Sequence, residues 1–227
     1  MRHRILLGLA AGLLVITIPA AAHASTITLS GGTAGTIPAG AGVNNFIPVL
    51  FPGPTIGGYY GSQIDFSVTG PSILTFEFFG GEADFIDAFD YNGSQLFVHT
   101  SGTLISPNLS SPLATFTTTI NGSGLLNFVF DANSNTSHDA DGSNPDNSGH
   151  NLLGPNFFAS CNPFTALPGG QSCNSVYLFL DDSGGGPDDD YDDMLVRATV
   201  TTLPEPATLL LLGLGLFVGS LAVRRRS

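Results

Sequence analysis

Lysine and tryptophan are both missing from this 227-residue chain, and cysteine occurs only twice. Of the basic residues, Arg2, Arg4 and Arg224 to Arg226 lie at the two ends, so Arg197 alone serves residues 25–203. Every acidic residue except Glu205 falls in that same stretch, which is therefore strongly anionic and repels nucleic acid and anionic lipid headgroups. The lack of Trp argues against a sugar-stacking cleft. No helical period of 3.6 residues runs through residues 25–203, which excludes a helical bundle. A Gly-x-Ser-x-Gly nucleophile elbow is also missing, and His99, His138 and His150 show no metal-ligand spacing on a regular element. The sequence thus offers no catalytic centre, and the expectation is a non-enzymatic protein.

What is present begins with a basic start (Arg2, Arg4), an apolar run from Ile5 to Ile18 and small residues ending Ala22-His23-Ala24. This is the layout of a secretory signal peptide over residues 1–24, with Ala22 and Ala24 before the cut by signal peptidase. The apolar run is shorter than the roughly 20 residues of a permanent span. The other end carries Leu203-Pro204-Glu205-Pro206, an apolar stretch from Ala207 to Val223, and three arginines. The stretch is long enough to cross a bilayer as a helix, and the arginines would hold its tip in the cytoplasm.

Pro204-Glu205-Pro206, the apolar segment and the basic tip, in that order, resemble the PEP-CTERM sorting signal of Gram-negative bacteria. The resemblance covers residues 204–227. It implies recognition by an exosortase, a membrane transpeptidase-like enzyme, with transient anchoring through the C-terminal helix and cleavage near Pro204-Glu205-Pro206. The mature form would then be secreted or held at the cell surface. It also implies association with exopolysaccharide in a biofilm or floc. The segments Phe51-Pro52-Gly53-Pro54-Thr55 and Phe76 to Phe85, and the Asp-rich hairpin described below, look similar to the same proteins.

Between the ends, residues 25–203 fit one domain with a substantial core. Ile64, Phe66 and Val68 alternate with polar residues, as do Leu74, Phe76 and Phe78. Further two-residue rhythms run over Ser94 to His99, Ala114 to Ile120, Gly124 to Phe130, Val176 to Leu180 and Met194 to Thr201. Val176 to Leu180 is apolar on both faces and should lie centrally. Short strands divided by Gly-Pro, Asn-Gly and Ser-Pro clusters predict an all-β fold, an antiparallel β-sandwich of jelly-roll-like type. Gly31 to Gly61 reads as an irregular surface arm and Asn133 to Asn151 as a long exposed loop. Cys161 and Cys173 should pair across a short loop in an oxidising compartment, with a two-cysteine metal site as the alternative.

The strongest internal feature is the run from Asp181 to Asp193, with Asp181, Asp182, Asp188, Asp189, Asp190, Asp192 and Asp193 around a glycine run. So many carboxylates repel one another unless solvent, protonation or a cation intervenes. Calcium takes six to eight oxygens from flexible loops, so Asp182, Asp188, Asp190 and Asp193 are the candidate ligands of a Ca²⁺ site. The alternative is a solvated acidic hairpin that protects a sheet edge.

A second acidic group comprises Glu82, Asp84, Asp87 and Asp90. In an extended strand Asp84 and Asp90 share a face and Asp87 points away from it. Paired carboxylates of this kind also serve glycoside hydrolases, which keeps a secreted hydrolase among the readings. The loop Asp139 to Asp146 looks like a degenerate calcium loop, to which Asp131, Asn133 and Asn135 could add. It has Asn144 where an EF-hand needs Gly, and His150 where it needs Glu. A polar loop without an ion is the competing reading. A carbohydrate-binding module remains a further alternative on fold analogy, with Tyr59, Tyr60 and Tyr91 as stacking candidates.

Overall fold

A computed structural model describes residues 25–38, 42–83, 85–132, 140–147, 154–183, 189–203 and 213–216. The signal-peptide positions Ala22 and Ala24, the motif Pro204-Glu205-Pro206, and Asp84, Asn133, Asn135, His138, Asp139, His150 and Asp188 lie outside these residues. Of the C-terminal apolar stretch only residues 213–216 are described, and they are helical. Among the described residues no helix is long and apolar enough to cross a membrane.

His23–Glu205 form one compact unit of antiparallel strands. In chain order they are β1 (Ser25–Ile37), β2 (Ile56–Val68), β3 (Ser72–Ala83), β4 (Asp87–Tyr91), β5 (Ser94–His99), β6 (Gly102–Ile105) and β7 (Ala114–Ile120). There follow β8 (Ser123–Leu125), β9 (Phe128–Ala132), β10 (Ala140–Ser143), β11 (Asn156–Ser160), β12 (Ser172–Cys173), β13 (Ser175–Asp181) and β14 (Met194–Thr202). A single helical turn, α1 (Ile47–Leu50), lies between β1 and β2.

The large sheet runs β12-β1-β2-β11-β13-β14-β3-β6, with β7 also on β3 and β8 on β2; the small sheet runs β10-β9-β4-β5. Both contribute to one buried cluster: Leu74, Phe76, Leu178 and Val196 from the large sheet meet Phe89, Phe97, Phe128 and Phe130 from the small one. The rings interlock across the gap, with Phe76 and Phe89 centroids 5.1 Å apart and Phe78 stacked on Phe97 at 5.6 Å. Two faces closed on one aromatic layer follow from the two-residue alternation of the strands.

The strand windows read from the sequence match for β5 and β7, and β13 is central, flanked by β11 and β14. Three expectations need correction. Gly31 to Gly61 is no loose arm: β1 and β2 pair from Ser25↔Val68 to Ile37↔Ile56. The segment between them lays Phe46, Ile47, Leu50 and Phe51 on the outer face of the large sheet, over Phe158, Tyr177 and Phe179. Gly124 to Phe130 is not one strand but two, because β8 pairs with β2 of the large sheet while β9 joins the small one. The described part of Asn133 to Asn151 is not an exposed loop. Ala140–Ser143 pairs with β9, and the buried Asn144 bonds to Ile64 N, Ile64 O and Leu126 O through its amide.

Cys161 and Cys173 form a disulfide, which ties the end of β11 to β12.

Candidate cation site at the end of the two sheets

The chain runs out of β13 at Asp181 and returns into β14 at Met194, so the Asp-rich segment sits at one end of the large sheet. Its base is closed by two bonds: Asp182 N–H donates to Asp193 Oδ2 at 2.8 Å, and Asp193 N–H to Leu180 O at 3.3 Å. Ser183 N–H donates to Asp181 Oδ1 at 3.2 Å. The result brings one carboxylate oxygen from each of Asp181, Asp182 and Asp193 within 4.8 Å of the others.

Residues 189–193 are held by what lies behind them. Tyr191 is fully buried in the outer core, packs on Tyr60 and Phe158, and donates its hydroxyl to Asn156 Oδ1 at 2.6 Å. It takes a left-handed φ of 62°, which turns the flanking aspartates the other way. Asn44 clamps the turn from the α1 side, with Nδ2 donating to Asp190 O at 2.8 Å and to Tyr191 O at 3.0 Å. Asn45 N–H donates to Asp192 Oδ2 at 2.7 Å. Close approach of β3 depends on Gly81, where a Cβ would come within 1.9 Å of Asp193 O.

A cleft of about 400 Å³ opens over this segment, lined by Asn45, Glu82, Asp182, Asp190, Asp192 and Asp193 with the exposed Phe85 and Val43 at its rim. The small sheet approaches the same place with Asp87, the first residue of β4, which is fully buried. Burial pushes the Asp87 carboxyl up to about 8, reinforced by the charges of Asp182 and then Asp131. Asp193 is raised as well, first by burial and then by Asp182. Burial lowers His99, whose Nε2 lies 2.9 Å from Gly102 O. His99 is thus a buried residue at the end of β5.

Of the four ligands expected from the sequence, the structure brings Asp182 and Asp193 together. Asp190 lines the same cleft but stands outside the close group, against the Cα of Gly42. Asp181 belongs to the hairpin run but is not among the four expected ligands, and Asp87 and Asp131 escape a reading of the hairpin alone. Asp87 shares the inward face of β4 with Phe89, and an acid in the apolar phase of a strand is the signal that could reveal it. In the degenerate calcium loop, the Asn144 side chain is spent on backbone groups, and Asp146 Oδ2 accepts from Ser143 Oγ at 3.0 Å. The stacking candidates also turn inward. Tyr60 is buried, Tyr59 bonds to Gly169 O, and Tyr91 packs on Phe76.

Residues 202–226 match the family model of the PEP-CTERM protein-sorting motif. No curated protein and no solved structure matches the chain. The motif marks an exported protein, with an exosortase as its processing partner at the C-terminal segment.

Proposed function

We propose that this chain is a non-enzymatic protein of the cell surface or extracellular matrix, associated with exopolysaccharide, whose β domain binds calcium in the acidic cleft. The observation that carries the calcium reading is the convergence of Asp181, Asp182 and Asp193 on one point at the base of the hairpin. Hard carboxylate oxygens supplemented by carbonyls are what calcium takes, and an anionic domain outside the cell meets calcium at high concentration. The matrix reading is supported by the sorting motif together with a lysine-free, acidic β domain.

The experiment is to delete residues 203–227 and follow the protein in its host. The intact chain should fractionate with the cell surface or matrix, and the deleted form should not. Equal distribution of the two forms would remove the sorting tail from the account.

A further inference from the structure

Among the described residues, every sheet edge but one is blunted against pairing with another strand. β12 is two residues long and tied down through Cys173, and β1 beside it bends at Gly31 and Gly32, both with positive φ. β6 and β8 are only four and three residues long. In the small sheet, β10 contains Asp141, and β5 carries an extra residue, Leu96, where its register with β4 shifts. β7 is the exception. Its seven residues lie on β3 in unbroken register from Ser72↔Ile120 to Phe78↔Ala114, and no described residue pairs with its other side. No glycine, proline or charge interrupts it.

Charge sharpens the contrast. From Tyr91 to Phe130 there is no Asp, Glu, Lys or Arg. The one charged residue of β3 opposite β7 is Glu77, the register partner of Thr115, and Arg197 neutralises it at 2.7 Å. The acidic residues push two copies of the domain apart wherever they meet, and β7 is an edge without them. Thr115, Thr117 and Thr119 are exposed on one face of the strand. A two-fold axis through Thr117 would set Thr117 opposite its own copy and Thr115 opposite Thr119, and Thr–Thr pairs are favourable across strands. The exposed Leu113 at the start of β7 and Leu104 on β6 add apolar surface along the same side of β3.

We infer that β7 pairs antiparallel with β7 of a second copy of this chain, about Thr117, so that two large sheets become one continuous sheet. Unpaired N–H and C=O groups along an edge take a strand as their partner, and an identical uncharged edge supplies one without like charges meeting. The inference is independent of the calcium reading above.

Sedimentation and hydrogen exchange of the full chain in detergent, without calcium and over a range of protein concentrations, test it. A monomer–dimer equilibrium should appear. As the dimer fills, the outward amides of residues 114–120 should exchange severalfold more slowly, while those of β1 and β12 stay unchanged. Thr117→Glu sets like charges opposite each other and should weaken dimerisation roughly fivefold, whereas Thr117→Ser should leave it unchanged. A monomer at every concentration would overturn the inference. So would a dimer whose β7 amides exchange as fast as those of the monomer, the sign of association through the apolar C-terminal stretch or another face. The exchange readout needs no variant, so it decides even if Thr117→Glu fails to fold.

Discussion

Asp182 and Asp193 face each other across the mouth of the β13–β14 hairpin, the backbone N–H of the first donating to the carboxylate of the second at 2.8 Å. The contact fixes one oxygen of Asp193 and still leaves Asp181 and Asp182 converging beside it. Such an arrangement is stable in two ways: some of the carboxyls hold protons, or a cation sits among them.

Without calcium, stability should fall as pH rises. Asp87 is raised from 3.8 to about 8 in the folded protein. A raised folded value means that the native state holds the proton more tightly than the unfolded chain. Its contribution is present below about 4 and is lost progressively as pH climbs to about 8. Thermal melts of the calcium-free protein at pH 4, 6 and 8 should show a decreasing midpoint. Calcium should reverse the trend, because deprotonated carboxylates bind it best. A midpoint independent of pH in both conditions would contradict the assignment of Asp87.

Gly81→Ala should be poorly tolerated. Its Cβ would stand 1.9 Å from the backbone O of Asp193, which cannot swing aside, and 3.0 Å from Cδ2 of the His99 ring. A loss of about 3 kcal/mol in urea unfolding is expected, at the upper end for overpacking. Weaker calcium binding should accompany it. A neutral result would show that β3 can move away from the hairpin.

Asn144→Ala should destabilise the domain by about 2–3 kcal/mol without touching the cation site. The side chain satisfies the N–H and C=O of Ile64 and the C=O of Leu126, all in buried surroundings. Calcium affinity measured on this variant should be unchanged, which separates the staple from the cleft.

Reduction of the Cys161–Cys173 disulfide should cost about 3 kcal/mol, as expected for a short closed loop. The effect should appear as a lower melting midpoint in dithiothreitol, absent from a Cys161→Ser, Cys173→Ser double variant.

Much of this fold can be read from the sequence wherever apolar residues alternate with polar ones, as in β7, where threonines separate Phe116 and Ile120. The reading fails for β1 and the start of β2, where glycine looks like punctuation. Gly57 and Gly58 are instead sites of close approach: a Cβ on either would lie 2.3 Å from backbone of Leu167 or Ala159. It fails again at Leu126 and Asn127, where a largely apolar run passes from one sheet to the other. Periodicity reports which face is buried and says nothing about which sheet a strand joins.

The site divides along the same line. Asp182 and Asp193 are visible because hairpin ends are neighbours in sequence. Asp87 comes near them only after two sheets have closed on a common core, and the one local sign of it is an acid in the apolar phase of β4. Asp190, by contrast, looked equivalent to its neighbours. Its place is set by the left-handed turn at Tyr191 and the Asn44 clamp, and neither can be read from spacing.

Titration calorimetry of the full chain measures directly whether calcium enters the cleft. One saturable event is predicted, weakening as pH drops from 8 to 5 and abolished in Asp193→Asn. No heat at millimolar calcium, with an unchanged melting midpoint, would contradict it.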